Sequence, residues 1–416
     1  NPGVIVRYTR LPWQDGQQKV TLAVLGGQPP DVCFQVSNNI SGFIAQDALE
    51  PLTQPLASQV DEFYESYIDA VSFDNEIYAV PWYKACYVMA LNLDIFEQFG
   101  VAPPVNGRWT MDEFLQKMQA LTRQAPPPDD RITTRAVNAP PVQYHGLVTN
   151  LGVAEYEAYS IIYNFGGRIL QNTADGKARA SADSSEFING LQTLQDLDFK
   201  HQVVAPGIGA FTQEQSWKVW KEGGTVASTI QGGWIVNALN TSNREQERAN
   251  ARLIAAGREG EARRPFRWSL AAPPTADAAT TPVLASSGLG TFVVFRQEDA
   301  ERRRLATELA LHLVRGKGQE VLKEECVYPS LKAAGNPFGD DPMIGPVFAL
   351  FPDAVLTPLV PGGERIDRVF QQEIQKSLLR IPGTNTPQAT ADQAAKAANN
   401  KVEAVLQRAL RRFQRQ

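Results

Sequence analysis

Cysteine, histidine and methionine are all scarce in this 416-residue chain, which has three, three and four of them respectively. Cys33, Cys86 and Cys326 are too few and too scattered for a disulfide framework or a zinc site. They read either as buried thiols, which behave as small hydrophobes, or as one bridge and one thiol. His145, His201 and His312 stand apart in the sequence, so no metal site and no cofactor are expected. Nowhere does an apolar run approach the roughly 18 residues needed to cross a bilayer. Charge of one sign is not in excess either: 40 Lys and Arg face 45 Asp and Glu, for a net charge of -5. Arg263-Arg264 and Arg302-Arg303-Arg304 are offset by Glu261 and Glu301, which excludes a nucleic-acid footprint. No repeat period points to a solenoid or propeller. Also absent are a phosphate-binding GxxxxGK[ST] loop, HExxH, a GxSxG elbow and CxxC. The chain opens without Met on the strand-like alternation of Val4, Val6 and Tyr8, with no leader ahead of it, so an upstream segment is expected to have been removed.

What is present is a globular composition, 43% hydrophobic and 20% charged, long enough for two or three units and read here as two lobes. Strand and helix signals alternate from the start. Val4 to Tyr8 reads as a strand, the run through Val20 and Leu25 as a helix, and Asp31-Val32-Cys33-Phe34 as the next strand. Gly26-Gly27-Gln28-Pro29-Pro30 between them is a helix stop, glycine supplying the cap and proline preventing continuation. Glu76 to Pro81 and Tyr87 to Asn92 read as short strands around a polar, aromatic loop at Trp82, Tyr83 and Lys84. Thr110 with Glu113 and Thr212 with Gln215 fit capping boxes opening helices. The first buries Phe114, Met118 and Leu121, and the second runs through Trp217 and Trp220 to Gly223-Gly224, before a strand from Thr225 to Ile230. Prolines at 126–128 and 140–141 bracket a surface excursion. Helices are expected over Ala300 to Val314, Ile366 to Leu379 and Thr390 to Phe413.

A series of short segments then falls in one order. It includes Gly26-Gly27-Gln28-Pro29-Pro30-Asp31-Val32, Ala48-Leu49-Glu50-Pro51-Leu52, Phe73-Asp74-Asn75-Glu76-Ile77-Tyr78-Ala79-Val80-Pro81-Trp82 and Leu91-Asn92-Leu93-Asp94-Ile95-Phe96. Trp109-Thr110-Met111-Asp112-Glu113-Phe114, Asn164-Phe165-Gly166-Gly167, Ile230-Gln231-Gly232-Gly233-Trp234 and Tyr328-Pro329-Ser330 follow. No one of them is specific, but together, over almost the whole chain, they resemble the family 1 extracellular solute-binding proteins of ABC transporters, of the maltose- and sugar-binding kind.

The resemblance implies an α/β fold of the periplasmic-binding-protein type II, two α/β lobes joined by hinge strands with a ligand cleft between them. By analogy one lobe takes residues 1–91 and 273–327, and the other 92–272 and 328–416. The family begins with a strand and helix ahead of the segment that opens this chain, so the first sheet is expected to lack a strand beside Val4. The implied function is binding of a small solute, a mono- or oligosaccharide, and its delivery to the membrane subunits of an ABC importer by cleft closure. The implied place is extracytoplasmic, in a periplasm or lipid-anchored at the outer face of the membrane. The partners are that ligand and those subunits, with no nucleic acid, and the receptor acts as a monomer with no catalytic residue.

Sugar rings present C-H faces that stack on aromatic rings, and hydroxyls that need polar partners. Trp234 after Gly232 and Gly233 is the first candidate, the glycines allowing close backbone approach, with a core tryptophan as the alternative reading. Trp82, Tyr83 and Lys84 stand beside an expected crossing strand. Ser37, Asn38 and Asn39 follow the strand ending in Phe34, in the loop where the family places hydrogen-bonding groups, or form a plain turn. Glu155 and Tyr156 occupy a ligand-facing helix start in the family, and Arg365 follows Pro361-Gly362-Gly363. Trp217 and Trp220, at i and i+3, read as core. Two rivals stay open: a binder of a charged solute such as a polyamine, glycerophosphate or iron, which needs an ionic pocket, and a glycoside-processing enzyme, which needs a carboxylate pair.

Overall fold

The computed structural model describes residues 3–12, 15–128, 140–151, 156–172 and 178–413. Its main strands are β1 (Val32–Val36), β2 (Val80–Asn92), β3 (His145–Val148), β4 (Val226–Gly232), β5 (Trp268–Ala271), β6 (Ser286–Val294) and β7 (Tyr328–Pro329). Its main helices are α1 (Gly16–Leu25), α2 (Met111–Leu121), α3 (Ser185–Phe199), α4 (Gln213–Lys221), α5 (Ile235–Ala255), α6 (Ala300–Leu313), α7 (Lys317–Glu324), α8 (Gly363–Gln375) and α9 (Ala391–Phe413).

Local chemistry accounts for several boundaries. At the end of α1 the amides of Gly26, Gly27 and Gln28 return to the carbonyls of Leu22, Val24 and Ala23, and Gly27 adopts φ +70° before the two prolines. Both capping boxes form. The Thr110 and Thr212 hydroxyls accept from the amides of Glu113 and Gln215, whose side chains accept in return from the Thr110 and Thr212 amides. Met111, Phe114, Met118 and Leu121 recur at three- and four-residue spacing and bury one face of α2. The proline-rich excursion closes on a two-residue ladder, Gln124–Ala125 against Val142–Gln143, while residues 129–139 lie outside the described residues.

The strands form one curled sheet in the order β1-β6-β2-β4-β3, with β5 and β7 also pairing β2. β2 is shared between two lobes. Its first half pairs β6 and β7, from Val80↔Phe292 to Cys86↔Ser286 and Lys84↔Tyr328; its second half pairs β4 and β5, from Tyr87↔Gly232 to Asn92↔Trp268. Around the first half packs a core that includes Phe43, Tyr67, Leu289, Val293 and Ala310. In the second half the two-residue period separates two further cores. Tyr87, Met89 and Leu91 enter one with Phe114, Tyr159 and Phe370, and Cys86, Val88 and Ala90 enter another with Trp220, Ile235 and Phe351. Burial on both faces is why this stretch reads as an unbroken apolar run.

Two expectations change, and an alternative left open is decided. Trp82, Tyr83 and Lys84 are not in a loop: they lie within the 13-residue strand β2, with one of two register irregularities against β6 falling between Pro81 and Tyr83. A lysine and two aromatic rings are tolerated there because each finds a partner from a distant part of the chain. Val4 to Tyr8 forms no strand; this segment is exposed, Ile5 at 85% and Tyr8 at 84%, and no described strand lies against it. β1 pairs on one side only, with β6, among the described residues. Cys33, Cys86 and Cys326 are all buried free thiols, so no pair of them is bridged.

Lys84 is the most unusual buried group. It is fully enclosed, donates from Nζ to the carbonyls of Pro352 (3.1 Å) and Ala354 (2.7 Å), and lies 4.8 Å from the Tyr67 ring centroid. Burial lowers its pKa from 10.5 to about 8. Lys84→Met would leave two buried carbonyls without their donor and is expected to destabilise the fold by about 2 to 4 kcal/mol in urea unfolding. Between pH 8 and 10.5 the unfolded chain binds the extra proton, so the stability of the native protein relative to this variant should rise across that window. A difference that stays flat with pH would refute the buried charge.

Candidate functional site

The sheet brings its candidates to the seam between the lobes from both sides. At the carboxyl end of β4, Gly232 and Gly233 lead into Trp234, which stands at the N-cap of α5 and is 38% exposed as a residue. A Cβ on Gly232 would lie 2.5 Å from Trp234 Cδ1, so glycine here makes room for the tryptophan's own ring. The Gly233 amide donates to the Cys86 carbonyl at 2.9 Å, and a Cβ there would approach the Cys326 carbonyl to 3.2 Å. The two glycines thus serve close packing of chain on chain. Trp217 of α4 meets Trp234 with ring centroids 5.1 Å apart, while Trp220 is fully buried.

Beside Trp234 lies a shallow, open groove of about 440 Å3, lined along α5 by Asn237, Ala238, Thr241, Ser242 and Glu245 and also by Glu325, just past α7. Its size is that of ordinary small-molecule sites, roughly 300 to 1,000 Å3. The Glu325 charge also reaches Tyr83, whose hydroxyl is pushed up to about 12, chiefly by burial. Tyr83 stacks on Phe34 at 5.9 Å and Trp82 sits edge-on to Tyr83 at 5.1 Å, its Nε1 donating to the Gly318 carbonyl at 2.7 Å. Trp82 and Tyr83 are therefore half-buried and already partnered, and Lys84 is inaccessible.

A second group assembles around α8. Ser37–Asn39 form a short turn after β1, where the Ser37 hydroxyl accepts from the Leu289 amide at 3.0 Å and Asn38 Nδ2 donates to the Ser287 carbonyl at 3.5 Å. The backbone of Gly363 comes so near that a Cβ would lie 3.6 Å from the Asn38 carbonyl. Asn39 is half-buried in this turn, and Arg365 is exposed two residues further along α8. From the same helix Asp367 accepts a 2.5 Å hydrogen bond from the Tyr156 hydroxyl and one of 3.3 Å from Gln371. Tyr156 is buried against Tyr87 of β2, ring centroids 6.4 Å apart, and Tyr87 is the register partner of Gly232. The crossing strand thereby links the Tyr156 group to the Trp234 group. Glu155 lies outside the described residues.

Behind these side chains runs a buried polar chain. Gln231 donates to Ser216 (2.7 Å), Ser216 to Asn150 (2.8 Å) and Asn150 to Glu157 (3.0 Å), which also accepts from Gln213 (2.5 Å). Glu157 is fully enclosed, held by amide donors and the first turn of α4.

The model of the bacterial extracellular solute-binding protein family matches residues 1–294 of the 416. The chain belongs to that family. It is accordingly a binding protein rather than an enzyme, and it works outside the cytoplasm. Binding protein BAB2_0491 of Brucella abortus (strain 2308) is 22% identical over 95% of this chain and 86% of its own length. Among solved structures, maltose-bound MalE3 of T. maritima superposes with a TM-score of 0.67 at 18% identity, covering 94% of this chain and 89% of that one. UgpB of Mycobacterium tuberculosis in complex with glycerophosphocholine gives 0.67 at 15% identity, over 96% and 89%. These likenesses show the fold.

Asp367, Tyr87, Glu325 and the Glu157 chain were not marked by the sequence. Tyr87 is hidden in an apolar run and Glu325 in a charged helix end, whereas Asp367, two residues past Arg365, carried a weak signal. Burial raises the Asp367 pKa from 3.8 to about 6, the Tyr156 hydrogen bond pulling the other way. The folded protein thus holds a proton that the unfolded chain has lost, and this contribution to stability disappears as pH rises from about 4 to about 6. Asp367→Asn is expected to gain on the native protein over that range, on the order of 2 kcal/mol, and to run parallel above it. Melting curves from pH 4 to 7 check this; parallel curves throughout would remove Asp367 as the titrating group.

Proposed function

We propose that this receptor closes on a mono- or oligosaccharide between its lobes, residues 1–91 with 273–327 and 92–272 with 328–416, and delivers it as a monomer to the membrane subunits of an ABC importer. It does so in a periplasm or lipid-anchored at the outer face of the membrane. The observation that carries this reading is Trp234: a large indole kept half-exposed at the seam, braced by Trp217, beside a groove of hydroxyl and amide groups. Such a ring offers a flat apolar platform to the C-H face of a sugar, and Asn237, Thr241 and Ser242 offer partners to its hydroxyls. The groove lining holds two glutamates and no lysine or arginine, which disfavours a phosphate- or carboxylate-bearing solute. MalE3, a structural neighbour, is bound to maltose, which supports the same reading.

The mechanism is a population shift. A ligand touching both lobes has more contacts in the closed form and favours it by that difference in affinity. No bond is made or broken.

A thermal-shift screen over mono- and oligosaccharides tests the class, because a ligand at 100 times its Kd stabilises by about 2.7 kcal/mol. With the best saccharide, Trp234→Ala is expected to weaken binding by about 2 to 4 kcal/mol, a roughly 30- to 1,000-fold rise in Kd, while the melt of the ligand-free protein changes little. Unaltered affinity with a collapsed melting temperature would make Trp234 structural and sink the site, and a screen in which no saccharide stabilises would sink the class.

A further inference from the structure

The groove beside Trp234 is more acidic than a neutral sugar needs. Glu245 lies on the same face of α5 as Trp234, Asn237, Thr241 and Ser242, and Glu325 also lines the groove, so two carboxylates share it with hydroxyls and an indole. Both glutamates are exposed, and neither has an ion-pair partner among the described residues. The Arg244 guanidinium donates to the Thr241 hydroxyl at 3.0 Å and its field reaches the Cys326 thiol, while Lys323 is exposed two residues before Glu325. Neither cation lines the groove. Aromatic face, paired carboxylates and hydroxyls together match one ligand chemistry: a polyol ring carrying a protonated amine. The ring stacks, the hydroxyls meet side-chain amide and hydroxyl groups, and the ammonium is drawn both to the indole face and to charge-assisted hydrogen bonds from its N-H groups to carboxylate.

We propose that the groove between Trp234, Glu245 and Glu325 binds an amine-bearing saccharide, with the amino group held by the two glutamates. This rests on the carbohydrate reading above and narrows it. Because Glu325 follows α7 and Glu245 lies on α5, the ammonium bridges two separate elements of the fold.

The test is titration calorimetry of the full chain with a glucosamine disaccharide, its N-acetylated counterpart, maltose and putrescine, at low and high salt. The free-amine disaccharide is expected to bind roughly tenfold tighter than the N-acetylated one, with the advantage shrinking as salt rises. Glu325→Gln and Glu245→Gln should each weaken the amine ligand about fivefold more than they weaken maltose, with the ligand-free melting temperature unchanged. Equal affinity for amine and neutral sugars, or full affinity in both variants, would overturn the proposal and leave the carbohydrate reading intact. Putrescine binding as tightly as the disaccharide would overturn the saccharide part, and failure of every saccharide to bind would take the broader reading down as well.

Discussion

One strand carries two sheets. β2 gives its first seven residues to one antiparallel ladder and its last six to another, and a hydrogen-bonded ladder fixes register on both sides at once. A slip of one residue anywhere along it would exchange Tyr87, Met89 and Leu91 for Cys86, Val88 and Ala90 between two different cores. The seam therefore inherits its geometry from backbone pairing: Tyr87 is opposite Gly232, and Cys86 receives the Gly233 amide, so Tyr156 and Trp234 are each placed relative to the same two residues.

Local chemistry was legible in the sequence, and distant partnership was not. The capping boxes at Thr110 and Thr212 and the glycine stop after α1 are satisfied within a few residues, so spacing alone identifies them. Trp82 to Lys84 defeated the same reasoning because what permits them in a strand comes from far away. The Gly318 carbonyl accepts from Trp82, and Pro352 and Ala354 take the ammonium of Lys84. A lysine in an apolar run reads as a loop until those acceptors are seen. Val4 to Tyr8 fails in the opposite direction: its alternation is strand-like, but a strand is a property of a pair.

The candidate site shows the same division. Trp234 was legible from its glycines and its place after a strand, although the glycines prove to accommodate its own ring and the Cys326 carbonyl. Glu325 reaches the site across nearly a hundred residues of intervening chain, and Asp367 becomes distinctive only through burial beside Tyr156. Glu157 is a second case: fully enclosed, it accepts from the Asn150 and Gln213 amides, an arrangement no spacing rule would reveal.

The tie between the Gly233 amide and the Cys86 carbonyl sits at the very root of α5. At 21 residues that helix is about 31 Å long, a rigid lever whose fulcrum is the crossing strand itself. Glu245, eleven residues beyond Trp234, stands about 16 Å further along that helix than the indole at its root. The groove's two carboxylates therefore stand on walls of different origin, one on α5 and one just past α7.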